Sequence, residues 1–253
     1  MKNIICITGA SSGIGKATAL LFAQSGYDVI ICGRRKNILE EFAAELRELY
    51  KASIYVMIVD IRDSKSVAKA FDELPEEWKA IRILVNNAGL AAGLGPIHEG
   101  KIDDWEQMID TNVKGLLYVT RSVSPGMVER KQGHIINIGS IAGRETYLNG
   151  NVYCATKHAV DSLTKALRIE LLNYGIRVSQ IAPGATETEF SLVRFKGDAE
   201  TAQNVYKGYQ PLKPEDIADA IHYVASRPEH VCINDLLIMP SAQANTVHWN
   251  KKP

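Results

Sequence analysis

Thr8-Gly9-Ala10-Ser11-Ser12-Gly13-Ile14-Gly15 is the stretch on which the fold turns. The apolar run Asn3-Ile4-Ile5-Cys6-Ile7 before it reads as a buried strand, and Thr18 to Gln24 after it is apolar at helical spacing. Glycines where a strand becomes a helix let the backbone approach a pyrophosphate, whose charge then meets free N–H groups at the helix start. The loop is therefore expected to hold a dinucleotide through Gly9, Ser11, Ser12, Gly13, Ile14 and Gly15. Its Gly-x-x-x-Gly-x-Gly spacing departs from the common Gly-x-Gly-x-x-Gly fingerprint.

Further strand-like runs occur at Asp28 to Cys32, Ile54 to Val59, Ile83 to Asn86, His134 to Ile138, Arg177 to Ile181 and Leu236 to Met239. Helical periodicity fills the gaps at Lys36 to Tyr50, Ser64 to Leu74, Asp103 to Met127, Val152 to Tyr174 and Glu215 to Ser226. Such alternation predicts an α/β fold, a doubly wound parallel sheet covered by helices on both faces, with chemistry collecting in the loops after the strands. The 253 residues suffice for one such domain.

Lys plus Arg and Asp plus Glu balance at 29 each, without a long basic run, so neither nucleic acid nor an anionic membrane is the expected partner. Met1-Lys2-Asn3 leads into an apolar run too short for a signal peptide or a spanning helix, and a soluble, cytoplasmic protein is expected. Cys6, Cys32, Cys154 and Cys232 form no Cys-x-x-Cys pair and have no histidine at ligand spacing, so neither a metal site nor a disulfide is assigned.

After the second strand stands Gly33-Arg34-Arg35. A site for NAD would place a carboxylate there for the ribose hydroxyls, whereas guanidinium groups fork onto a 2′-phosphate, so NADP is predicted with Arg34 and Arg35 as its readers. Asp60 and Ile61, after the third strand, are placed to meet adenine. Asn86-Asn87-Ala88-Gly89 suits a turn running close to a ligand.

Tyr153 and Lys157 are four apart, hence on one helix face. A tyrosine ordinarily titrates near pH ~10, and a neighbouring ammonium is expected to lower that value, making Tyr153 the acid/base. Ser140 ends the strand before it, where a hydroxyl can donate to a substrate oxygen as charge develops. No glycine-flanked nucleophile elbow surrounds it.

These pieces, with Asn112 and Pro183-Gly184, resemble the short-chain dehydrogenase/reductases over essentially the whole chain. The resemblance implies a seven-stranded Rossmann-type sheet, one domain over 1–253, and a tetrad of Asn112, Ser140, Tyr153 and Lys157. In that scheme Asn112 orders a relay water and Lys157 also holds the nicotinamide ribose. Asn87, Ala88, Gly89, Pro183, Gly184, Thr188 and Tyr153 join the cofactor contacts, and a homotetramer built through the two long helices is implied. The segments Thr188 to Asp198, Asn151 to Tyr153 and Asn234 to Pro240 are similar to NADP-dependent 3-hydroxy acid dehydrogenases, those acting on serine and L-allo-threonine included. This implies a small-molecule hydroxy acid substrate under a covering loop at 185–210, with a C-terminal tail at 241–253 expected to pack across a subunit boundary. A carboxylate needs a cation, for which Arg144 and Arg194 are candidates, and Glu187 or Glu189 would answer an ammonium. Two other readings remain open: an NADPH-dependent carbonyl reductase of ketones and aldehydes, and a non-catalytic dinucleotide sensor.

Overall fold

The computed structural model describes residues 3–252; Met1, Lys2 and Pro253, the outer ends of the leading segment and of the tail, lie outside the described residues. Strands β1 (Ile4–Thr8), β2 (Asp28–Gly33), β3 (Ile54–Ile58), β4 (Ile81–Asn86), β5 (Gly133–Ile138), β6 (Ile176–Pro183) and β7 (Asp235–Ile238) form one sheet in the order β3-β2-β1-β4-β5-β6-β7. Every pairing is parallel. The chain reverses its direction of travel across the sheet between β1 and β4, and at such a switch point the loops part to leave a crevice.

Alternation along β1 explains the two cores. Ile5 and Ile7 face a cluster with Phe22 and Ala23 of α1 (Gly13–Gln24) and Leu39, Phe42, Ala43 and Leu46 of α2 (Lys36–Tyr50). Ile4 and Cys6 face the opposite cluster, with Val67 and Phe71 of α3 (Ser64–Asp72). A strand buried on both faces is what a continuous apolar run dictates. In α2 the four buried residues recur at helical spacing and the other faces are charged, while Asp63 starts α3 by accepting hydrogen bonds from the Lys65 and Ser66 amides.

The expected single helix at 103–127 proves to be α4 (Ile102–Ile109), a π-helical turn at Asp110–Gly115, and α5 (Leu116–Arg130). The widened turn buries Thr111, Asn112 and Gly115 beneath the crevice, a placement an uninterrupted α-helix would not give. Helix α6 (Asn151–Glu170) carries Tyr153 and Lys157, with a short 3₁₀ turn at Leu172–Tyr174 completing the expected span. The covering segment contains two short helices, α7 (Phe190–Arg194) and α8 (Ala199–Asn204), before α9 (Pro214–Ala225) closes the core against α1. Among the described residues no helix is long and apolar enough to cross a membrane, and no cluster of His, Cys, Asp or Glu is arranged to hold a metal ion. The four cysteines are free thiols, the Cys6 and Cys32 sulfurs lying 3.6 Å apart across β1 and β2.

At the opposite end of the sheet from the crevice, His134 is buried with Nε2 2.8 Å from Ser179 Oγ. Burial, reinforced by Arg177, pulls its pKa down to about 3. The unfolded chain therefore binds a proton between pH ~6.5 and ~3 that the folded chain refuses, so this group makes stability fall with acidification across that window. His134→Gln is expected to flatten the pH dependence of urea unfolding between pH 6.5 and 4 by about 1.4 kcal/mol per pH unit, one proton's worth. An unchanged slope would show that His134 does not titrate in this way.

Candidate active site

Glycine is required where β1 meets α1. Gly9 has φ +67°, and a Cβ there would stand 2.9 Å from Ala88 Cα. A Cβ on Gly15 would lie 2.4 Å from the Gly9 carbonyl oxygen and 2.5 Å from Asn87 Nδ2. The loop is thereby pressed against the turn after β4, and Thr8 binds the two together. Thr8 Oγ1 accepts from the Asn87 and Ala88 amides, each at 3.0 Å, while Asn87 Nδ2 donates to the Thr8 carbonyl at 2.8 Å.

The crevice above this junction has a volume of about 590 Å³. Gly9, Ser11, Ser12, Gly13 and Ile14 line one end with Arg34, Arg35, Asp60, Ile61, Asn87, Ala88 and Gly89. Ser140, Tyr153, Lys157, Pro183, Gly184, Thr188 and Arg194 line the other. Gly15 does not line it, because its role is the close packing just described. The twin arginines differ in their surroundings. Arg34 is 56% exposed and only loosely paired with Asp60 at 3.8 Å, since that carboxylate is gripped by Arg62 at 2.6 Å. The Arg62 hydrogen bond holds the Asp60 pKa below the usual carboxylate range. Arg35 instead donates to Ser11 Oγ, Ser12 Oγ and Glu189.

At the far end Ser140 Oγ accepts from the Ala142 amide at 3.1 Å and hydrogen-bonds Tyr153. Tyr153 is almost fully buried, with Phe190 edge-on at 5.4 Å and the Arg194 guanidinium 4.9 Å from its ring centre. Burial, then Tyr147, push its pKa well above the ordinary phenol value, outweighing the opposing pull of Arg194 and Ser140. This corrects the expectation that Lys157 lowers it. The ammonium points to the Ile138 carbonyl at 2.9 Å and lies 6.0 Å from the ring centre, and burial brings its own pKa down to about 8.

Three further expectations concern Asn112, Arg144 and the two glutamates. Asn112 is buried behind the crevice, and its side chain hydrogen-bonds within the protein. Oδ1 accepts from the Leu90 amide at 2.8 Å, while Nδ2 donates to the Leu90 carbonyl at 2.8 Å and Thr156 Oγ1 at 3.0 Å. Arg144 does not line the crevice, because it turns outward into an ion pair with Asp235 on β7. Neither glutamate stands ready for an ammonium: Glu187 is exposed and off the lining, and Glu189 is taken by Arg35.

Tyr147, Phe190 and Gln243 line the site without having been singled out, and Trp249, expected with the tail at a subunit boundary, lines it too. Phe190 and Arg194 are four apart on α7, the one sequence signal that could have paired them. The tail reaches the site within its own chain: Gln243 accepts from the Ala185 amide at 2.9 Å, and Trp249 packs on Tyr209 at 4.9 Å between ring centres.

Residues 3–198 match the family model described as short chain dehydrogenase. The chain belongs to the short-chain dehydrogenase family. It is an oxidoreductase acting on CH–OH groups, as the family match and the crevice around Tyr153 agree. It is 46% identical to a protein of Schizosaccharomyces pombe named NADP-dependent 3-hydroxy acid dehydrogenase, covering 98% of this chain and 96% of that one. Against sulfoacetaldehyde reductase 2 of Chromohalobacter salexigens it is 44% identical over 96% of both chains. Its fold superposes on the closed form of a serine dehydrogenase complexed with NADP+ with TM-score 0.93 and 45% identity, covering 99% of this dehydrogenase and 100% of that chain.

A buried lysine whose folded pKa is about 8, against 10.5 ordinarily, costs stability while it must remain ionised, and that cost vanishes as pH rises from 8 to 10.5. Lys157→Met is therefore expected to melt above the wild type at pH 7, the gap closing by pH 10. A gap independent of pH would contradict the buried-ammonium assignment.

Proposed function

We propose that this chain is an NADP-dependent oxidoreductase that interconverts short 3-hydroxy acids, 2-amino-3-hydroxy acids such as L-serine and L-allo-threonine among them, with their 3-oxo counterparts. The observation that carries the reading is Arg194. Its guanidinium is held over Tyr153, one nitrogen donates to Tyr147 Oη at 2.7 Å, and the buried Nε has no partner. A buried donor left without an acceptor is costly, and a small anion entering beside Tyr153 supplies one in forked geometry. The relatives named above fit: a 3-hydroxy acid carries a carboxylate and sulfoacetaldehyde a sulfonate.

The other end fits a dinucleotide phosphate. The glycine cradle admits it without a Cβ in the way, and the loosely paired Arg34 has donors for a 2′-phosphate. Gly9 to Gly15 would hold the pyrophosphate, Asp60 and Ile61 the adenine, Asn87 to Gly89 the central part, and Lys157, Pro183, Gly184 and Thr188 the nicotinamide half. Bound there, NADP would supply the carbon that accepts hydride from C3 and, oxidised, a positive ring. The chain's own residues handle the proton. Tyr153 as phenolate takes the substrate hydroxyl proton and as phenol returns it in reverse, while Ser140 donates to the substrate oxygen as its charge changes. Burial opposes the phenolate, so positive charge must stand beside it; Arg194 contributes, and the oxidised nicotinamide ring would add to it. Lys157, with a pKa of about 8, can accept or release a proton under mildly alkaline conditions. Asn112 serves by fixing Leu90 against α6.

The same reading includes a cytoplasmic homotetramer packed through the long helices. Exposed Leu117 on α5 and Ile169 on α6 support that packing.

Initial rates of NADP reduction with L-serine, L-allo-threonine and 3-hydroxyisobutyrate, beside a neutral secondary alcohol, test the reading. The acids are expected to be preferred, and Arg194→Gln to raise their KM by roughly 10-fold or more, the loss of a charge-assisted hydrogen bond, while sparing the neutral alcohol. Equal turnover of the neutral alcohol, with both substrates affected alike by Arg194→Gln, would favour a general carbonyl reductase.

A further inference from the structure

Helix α7 is five residues long, too short to hold itself together, yet it carries the two side chains that roof Tyr153. Within it Ser191 Oγ lies 2.8 Å from Tyr206 Oη and Arg194 donates to Tyr147 Oη, and both of its ends are tied as well. At the C-terminal end the Arg194 carbonyl accepts from the Gly93 amide at 3.0 Å, and Lys196 pairs with Asp104 at 2.8 Å. At the N-terminal end Glu189 pairs with Arg35 Nη1 at 3.0 Å. The Arg35 guanidinium is fixed from behind, its Nε donating to Ser11 Oγ at 3.0 Å and its Nη2 to Ser12 Oγ at 2.7 Å. Ser11 and Ser12 belong to the glycine loop, so the helix over the acid/base tyrosine is tied to the loop that meets the cofactor.

We propose that Arg35 and Glu189 are positioning residues that latch α7 over Tyr153, so that the adjacent arginines divide their work: Arg34 reads the 2′-phosphate and Arg35 assembles the substrate chamber. Most of Arg35's donors face Ser11, Ser12 and Glu189, whereas Arg34 stands open beside an Asp60 that Arg62 already neutralises. An exposed ion pair ordinarily adds little because two mobile side chains must be ordered. Here the serines have already ordered one of them, and only five residues depend on the result.

The proposal rests on the hydroxy acid reading, and its test separates the two. Hydrogen exchange of the Val193 and Phe195 amides, which close α7 onto Glu189 and Ser191, is measured in the cofactor-free protein. Glu189→Gln and Arg35→Met are each expected to speed this exchange by about fivefold, the upper end for such a pair, and the double variant no more than either alone. With cofactor, Glu189→Gln is expected to raise KM for the hydroxy acid about fivefold while kcat and the NADP Kd change less than twofold. Arg34→Ala, by contrast, weakens NADP without altering exchange in α7. Unchanged exchange in Glu189→Gln, additive effects in the double variant, or tighter NADP binding on loss of Glu189 would overturn the latch; the last would make Glu189 a competitor of the 2′-phosphate. Faster exchange in a protein whose wild type ignores hydroxy acids would spare the latch and overturn the substrate reading instead.

Discussion

Everything in the site hangs from the place where the ends of β1 and β4 are tied together at the switch point. Thr8 and Asn87 exchange hydrogen bonds there, and Gly9 and Gly15 allow the approach. From that tie a continuous path runs to the acid/base. The chain leaves Asn87 for Leu90, whose amide and carbonyl are both clasped by Asn112; Asn112 bonds Thr156; and Thr156 Oγ1 donates to the Tyr153 carbonyl at 2.8 Å. The glycine loop and the helix that carries Tyr153 are thus linked by a chain of hydrogen-bonded, largely buried polar groups. In a low-dielectric interior such groups specify one arrangement, because any other leaves donors unmet.

The same burial works against the chemistry it positions. Tyr153 is pushed away from ionisation and Lys157 toward losing its proton, so the protein alone stores an unfavourable arrangement that a positively charged neighbour relieves for the phenolate. This is the pattern expected of an active site, where stability is given up locally and recovered in the surrounding core. Arg194 belongs to the same arrangement. A guanidinium stacked on aromatic rings with one buried nitrogen unmet makes sense if an anion completes it.

Much of this was legible before the fold was known. The apolar runs located the strands because the central ones are buried on both faces, and the glycine loop, Arg34, Ser140, Tyr153 and Lys157 all reach the crevice. What stayed hidden depends on tertiary placement. Nothing in the spacing of Arg144 reveals that Asp235, ninety-one residues away, draws it outward. A π-helical turn inside an otherwise regular periodicity leaves no local mark, so the hydrogen bonds of Asn112 to Leu90 and Thr156 could not be read from spacing. The family resemblance supplied the tetrad; only the contacts show that Asn112 also braces the turn after β4.

The most direct measurement of the central claim is the fate of hydrogen at the substrate's hydroxyl-bearing carbon. A 3-hydroxy acid deuterated at C3 is incubated with NADP and the wild-type protein, and the reduced cofactor is examined by mass spectrometry. The account predicts one deuterium in each molecule of NADPH formed, and none formed with Tyr153→Phe. NADPH without the label, or the same labelled product from Tyr153→Phe at the wild-type rate, would contradict it.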